Sequence, residues 1–175
     1  MPSVVFLRGV NVGGHRKFQP SVLVKELAHL DAVNVGAAGT FVIRAAITPA
    51  KLRDEFLKRL PFDPEVMICR GRELLDLAAE EPFANAEHPE TKRYMTVMAK
   101  RPKALPELPL LKPDGDDWQV QVIRVIGPFA LSLHRRMGKR LIYPNEIVEK
   151  HFGVAATTRN WNTVEAICTI LDGSA

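Results

Sequence analysis

"SVVFLRGVNVGGHRKFQP" occupies residues 3–20, and its punctuation decides how the first half of the chain is read. β-Branched and aromatic residues run up to Leu7 and give way to glycine at Gly9, which is the pattern of a strand. Beyond the glycine-rich stretch, Pro20 stands where a first-turn proline belongs, and Leu23, Leu27 and Leu30 recur at helical spacing. The stretch therefore predicts a strand, a long basic loop and a helix. Downstream, "VNV" (33–35) and "TFVIRAA" (40–46) flank "GAAG" (36–39) and read as an antiparallel pair joined by a short turn. "TPAKLRDEFLKRL" (48–60) places Thr48 as helix cap, Pro49 at the first position, and Leu52, Phe56 and Leu60 on one face. "PEVMICR" (64–70) closes the series as a strand. The order over residues 3–70 is β-α-β-β-α-β, the ferredoxin-like or split-βαβ arrangement.

The rest of the chain has a less regular pattern. "GRELLDLAAEEPF" (71–83) reads as a helix stopped by Pro82, and "KRYMTVMA" (92–99) as a strand. Residues 101–117 carry several prolines and an acidic "DGDD", which predicts a short helix at most and then a loop. "WQVQVIRVIG" (118–127) and "FALSLHRR" (129–136) alternate apolar and polar residues about Gly127-Pro128, so they pair as a hairpin. "NEIVEKHFGV" (145–154) and "NTVEAICTIL" (162–171) are the last two helices. The expected class is α+β, with residues 1–71 a ferredoxin-like subdomain and residues 72–175 a smaller α+β subdomain, packed as one compact unit.

Composition narrows the function classes. With 175 residues and 46% hydrophobic content, the chain is long enough to bury a sizeable core. Its apolar runs are far shorter than a membrane span and its N-terminus lacks a signal-like pattern, so a cytoplasmic protein without membrane association is expected. Cys69 and Cys168 stand alone in apolar surroundings, with no histidine at metal-ligand spacing, and read as reduced, inert thiols rather than ligands to a metal. A net charge of +4 points to an anionic partner only where the positive charge is clustered.

Clusters occur in three places. "LRGVNVGGHRKF" (7–18) combines Gly13 and Gly14 with Arg8, Asn11, His15, Arg16 and Lys17. Backbone amides in such a turn can approach an anion while the cationic side chains add charge-assisted hydrogen bonds. The stretch matches neither GxGxxG nor GxxxxGK[ST], so no nucleotide-binding fold follows from it. "LHRRMGKRLIYPNE" (133–146) gathers Arg135, Arg136, Lys139 and Arg140 around Gly138. His134 in it reads as a packing residue, since no carboxylate is paired with it in sequence. "ATTRNWNTVEAI" (156–167) enters the last helix through Thr157, Thr158, Arg159, Asn160 and Trp161. Asn162 and Glu165 fit a capping box, and Trp161 reads as core packing.

The first and third clusters carry a resemblance. "FLRGVNVGGHRKF" and "FGVAATTRNWNTVEAI" are similar to the opening and closing motifs of the domain-of-unknown-function 1697 family of small bacterial proteins, over nearly the whole chain. The resemblance implies a ferredoxin-like first half and a smaller α+β second half, and brings no activity, substrate or cofactor with it. The chain departs from the family pattern at "GAAGT" (36–40) and around Lys139 and Leu141.

Three functional readings follow. In the first, a phosphorylated ligand, nucleotide or nucleic acid, binds at Arg8, Asn11, Gly13, Gly14, Arg16, Lys17, Lys139, Thr158, Arg159 and Asn160. In the second, the chain is an enzyme for a small anionic substrate, with His15 as the local acid or base and no evident nucleophile. In the third, Arg159 and Trp161 hold the fold together and no ligand is involved. No cofactor and no oligomeric state can be read from the residues.

Overall fold

The computed structural model describes residues 1–86, 90–137 and 141–173. β1 (Ser3–Leu7), α1 (Pro20–Glu26), β2 (Ala32–Asn34), β3 (Thr40–Ile43), α2 (Pro49–Leu57) and β4 (Val66–Arg70) follow the expected order. Their strands form an antiparallel sheet in the order β2-β3-β1-β4. β1 is therefore a central strand, and Val4, Val5 and Phe6 are fully buried. The helices begin as their sequences dictate, with Pro20 and Pro49 in the first turn and the Thr48 hydroxyl accepting the Lys51 amide at 3.4 Å. Leu23, Leu27, Leu52 and Phe56 pack with Phe41 and Ile43 into one core.

Five more strands make a second antiparallel sheet: β5 (Lys92–Met98), β6 (Leu110–Lys112), β7 (Val120–Ile126), β8 (Phe129–His134) and β9 (Ala156–Asn160), in the order β6-β7-β8-β5-β9. β7 and β8 pair as the expected hairpin, with a bulge between Val122 and Arg124. α3 (Gly71–Ala79), α4 (Pro144–Phe152) and α5 (Trp161–Leu171) complete the chain. α4 stops at Gly153, whose φ of 64° is the left-handed end that glycine tolerates. Val120, Val122, Ala130, Val148 and Ala156 form the core of this sheet.

Two expectations need correction. Residues 110–112, expected in a loop, form β6, which pairs with β7. Prolines at 109 and 113 bracket this three-residue edge strand, and prolines so placed mask a strand in any pattern reading. The helix entry after residue 156 is the second. β9 continues through Asn160, opposite Tyr94 of β5, and α5 starts at once with Trp161. Asn160, not Asn162, is the capping residue: its side-chain oxygen accepts the Asn162 amide at 2.9 Å. With the start two residues earlier, Glu165 lies too far along the helix for a capping box.

By backbone contacts the chain divides into Met1–Asp76 with Glu165–Ala175, and Leu77–Val164. This division passes through α3 and α5, whereas the sequence suggests one cut after residue 71. Gly71 shows why the chain's last turn returns to the first unit. A Cβ there would lie 2.6 Å from Leu171 Cδ2, so only glycine admits that leucine.

Candidate functional site

In the first unit the glycine-rich loop is a built structure. The His15 amide donates to the Val12 carbonyl at 3.0 Å, and the Asn11 amide donates to that of Arg16 at 3.3 Å. Between them Gly13 and Gly14 have φ of 57° and 79°, which makes a two-residue hairpin turn that side chains resist. Asn11 fixes its base. Its side-chain oxygen accepts the Phe18 amide at 3.0 Å and its side-chain nitrogen donates to the Ala37 carbonyl at 3.1 Å. That second bond ties the loop to the GAAG turn, where Gly39 lies so close that a Cβ would sit 2.6 Å from Val10 Cγ2. Val10 is buried there as a plug, 2% exposed.

Everything beyond these anchors faces water. Val12 is 65% exposed, and Gly13, Gly14, His15, Arg16 and Lys17 are all exposed. The Lys17 stem lies against Gly14 and the Arg16 guanidinium against Gly9, so the cations fold back over the glycines. Arg16 itself has φ of 49°, a left-handed conformation that costs a non-glycine residue on the order of 1 kcal/mol. Arg8 sits half-buried at the loop's base, its amide bonded to the Glu65 carbonyl at 3.0 Å. A cleft of about 260 Å³ opens just past Lys17, lined by Phe18, Gln19, Val22 and Arg59 among others. Phe18 is held in it by its edge contact with Phe62, ring centroids 6.3 Å apart.

In the second unit, the residues of the third cluster turn inward. Thr157 and Arg159 are two apart on β9 and share one face of the pleat. The Arg159 guanidinium accordingly donates to the Thr157 hydroxyl at 2.8 Å and to the Thr158 carbonyl at 2.9 Å. Arg159 is only 5% exposed, and burial pushes its pKa down to about 10. Thr158 faces the other side, where its hydroxyl meets that of Thr96 at 2.8 Å. Trp161 is buried edge-on against Phe83, with centroids 5.0 Å apart, so the expectation that it packs in the core holds.

The middle cluster is only partly on view. Arg135 stacks over Trp118, 4.1 Å from the ring centroid, and donates to the Trp118 and Asp116 carbonyls. His134 packs edge-on against Tyr94 at 5.8 Å, and burial lowers its pKa. Arg136 is exposed. Lys139 and Arg140 lie outside the described residues. Both cysteines are free; Cys69 is buried, with its pKa raised by burial, and Cys168 is half-buried. Among the described residues no histidine, cysteine and carboxylate group is arranged to hold a metal ion, and no helix is long and apolar enough to cross a membrane.

Comparison with known proteins agrees with this architecture. A family model described as "Protein of unknown function (DUF1697)" matches residues 1–124. No curated protein matches the chain in sequence. Among solved structures, the conserved bacterial protein SP0830 from Streptococcus pneumoniae is similar, with a TM-score of 0.59 and 17% identity, over 97% of this chain and 98% of that one. At that identity the likeness concerns the α+β fold alone. The match to residues 1–124 covers the glycine-rich hairpin and, in the second sheet, β5, β6 and part of β7, and the chain belongs to the DUF1697 family of proteins of unknown function.

Proposed function

We propose that the protein binds a phosphorylated ligand, a nucleotide or a nucleic-acid backbone, on the hairpin at residues 11–17. The observation that carries this reading is the contrast within one short loop. Asn11 and Val10 are spent on anchoring, while Lys17 is exposed beside the glycine turn and Arg16 beside Gly9, Arg16 in a strained conformation. Strain of that kind in a loop that packing does not require is what a binding loop carries. Cations over a glycine turn suit phosphate oxygens, which accept from guanidinium, ammonium and backbone amide alike. The cleft at Phe18 and Val22 gives a nucleoside somewhere to lie next to the phosphate.

Thr157, Thr158, Arg159 and Asn160 belong, on this reading, to the architecture of the second unit and not to the ligand. Each has an internal partner, and a guanidinium 5% exposed has little reach toward solvent. The test is fluorescence anisotropy with a labelled ten-nucleotide RNA, competed by ADP, at low and at physiological salt. Affinity should fall steeply as salt rises. The variant Arg16→Ala/Lys17→Ala should bind at least about tenfold more weakly, as expected when two charged contacts are lost. Absence of binding to both probes at low salt, or a double variant that binds like the parent, would sink the proposal.

A further inference from the structure

The second unit holds a cleft of about 370 Å³, within the range of about 300–1,000 Å³ typical of small-molecule sites. Two elements make it. α4 contributes Glu146, Ile147, Lys150 and His151, four positions that helical spacing brings to one side, and the end of β6 with the turn after it contributes Lys112, Pro113 and Gln119. Pro113, Ile142 and Ile147 give it apolar walls. Lys112 and Lys150 set against Glu146 leave one positive charge in excess beside the His151 imidazole, a balance suited to a carboxylate.

Gln119 is the unusual member. Its backbone is fixed on both sides: its amide donates to the Lys112 carbonyl and its carbonyl accepts the Arg135 amide, each at 2.8 Å. Its side-chain oxygen is buried and has no hydrogen-bond partner among the described residues. A buried acceptor left unmatched is costly, and native proteins leave few of them without a reason. Here the acceptor belongs to a residue that lines a cleft with lysines and apolar walls, the combination by which small-molecule sites orient a ligand.

We infer that this cleft binds a small carboxylic acid with an apolar ring and a hydrogen-bond donor remote from the carboxylate. The carboxylate meets Lys112 and Lys150, the ring lies on Ile142 and Ile147, and the Gln119 side chain turns so that its oxygen, covered in the empty cleft, accepts from the ligand's donor. This site is independent of the phosphate reading of the first unit and of its test.

The probes are 4-hydroxybenzoate, benzoate, which lacks the donor, and 4-hydroxybenzyl alcohol, which lacks the charge. Each is titrated into the isotope-labelled full chain and followed by amide chemical shifts. 4-Hydroxybenzoate should move the signals of Gln119, Ile142, Ile147 and Lys150. Benzoate should bind about tenfold more weakly, the scale of one matched buried hydrogen bond. Gln119→Leu should erase that preference. Lys150→Ala, at an exposed position on α4, should weaken both acids and leave the neutral alcohol unaffected, which keeps the charge half of the test open if the leucine variant folds poorly. Undisturbed signals at millimolar 4-hydroxybenzoate, an alcohol that binds as well as the acid, or a preference that survives Gln119→Leu would each overturn the inference.

Discussion

Two segments of this chain are built from the same residue types and meet opposite fates. Residues 8–17 and residues 157–162 each contain arginine and asparagine, the first beside glycines and the second beside threonines. Gly13 and Gly14 turn the first into a two-residue hairpin, and its Arg16 and Lys17 end in water. Thr157 and Thr158 put the second into a sheet, and the pleat carries Arg159 inward to 5% exposure. The lesson is that a cationic motif says little about ligands until its backbone is known. A turn projects its side chains, whereas a strand must surrender alternate ones to whatever covers that face.

The contrast can be broken most forcefully at Arg159. Arg159→Ala removes a buried side chain and leaves the Thr157 hydroxyl without its donor, so it should cost roughly 2–4 kcal/mol of stability in urea unfolding. A loss under half a kcal/mol would mean that the arginine is not structural. Gly39→Ala should come next, at about 2 kcal/mol or more, because it needs φ of 73° and intrudes on Val10. Asn11→Ala gives up two hydrogen bonds at an exposed anchor and should cost about 1–2 kcal/mol, with phosphate affinity falling as the hairpin loosens.

Smaller effects sharpen the picture. Burial, assisted by the nearby Lys92 charge, lowers the pKa of His134 from its usual 6.5 in the folded chain. As pH falls through 6.5 the unfolded chain therefore takes the proton first, and this contribution to stability is present above that pH and lost below it. A His134→Asn variant should lose that part of the acid sensitivity, measured as the difference in unfolding midpoint between pH 7.5 and pH 5.5. Arg16→Gly should be neutral or stabilising by up to about 1 kcal/mol, because glycine accepts the left-handed conformation, while phosphate binding weakens. Destabilisation there would place Arg16 with Arg159 as a structural residue.

Much of the fold was legible in the sequence. Thr48-Pro49 and Pro20 announced two helix starts, and the alternation on either side of Gly127-Pro128 announced the β7–β8 hairpin. Local chemistry of this kind needs no distant partner. β6 was hidden because its existence depends on pairing with β7 and its own three residues carry no period. The cap at α5 was misplaced for the same reason: only the pairing of Asn160 with Tyr94 shows that strand runs straight into helix. Among candidate site residues, the exposure of Arg16 and Lys17 followed from the glycines beside them. The burial of Arg159 did not, since Thr-Thr-Arg-Asn reads equally as a polar loop. Gln119 and Lys150 drew no notice at all, because 31 positions separate them and only tertiary folding puts them on one cleft.

The most direct test compares the two arginine segments in a single titration. With the isotope-labelled full chain and inorganic pyrophosphate at low salt, the amide signals of Gly13, Gly14, Arg16 and Lys17 should shift in a saturable way. The Nε–H signal of Arg159, whose Nη1 donates to Thr157 and Thr158, should stay where it is. Movement of the Arg159 signal with a silent hairpin would contradict the account.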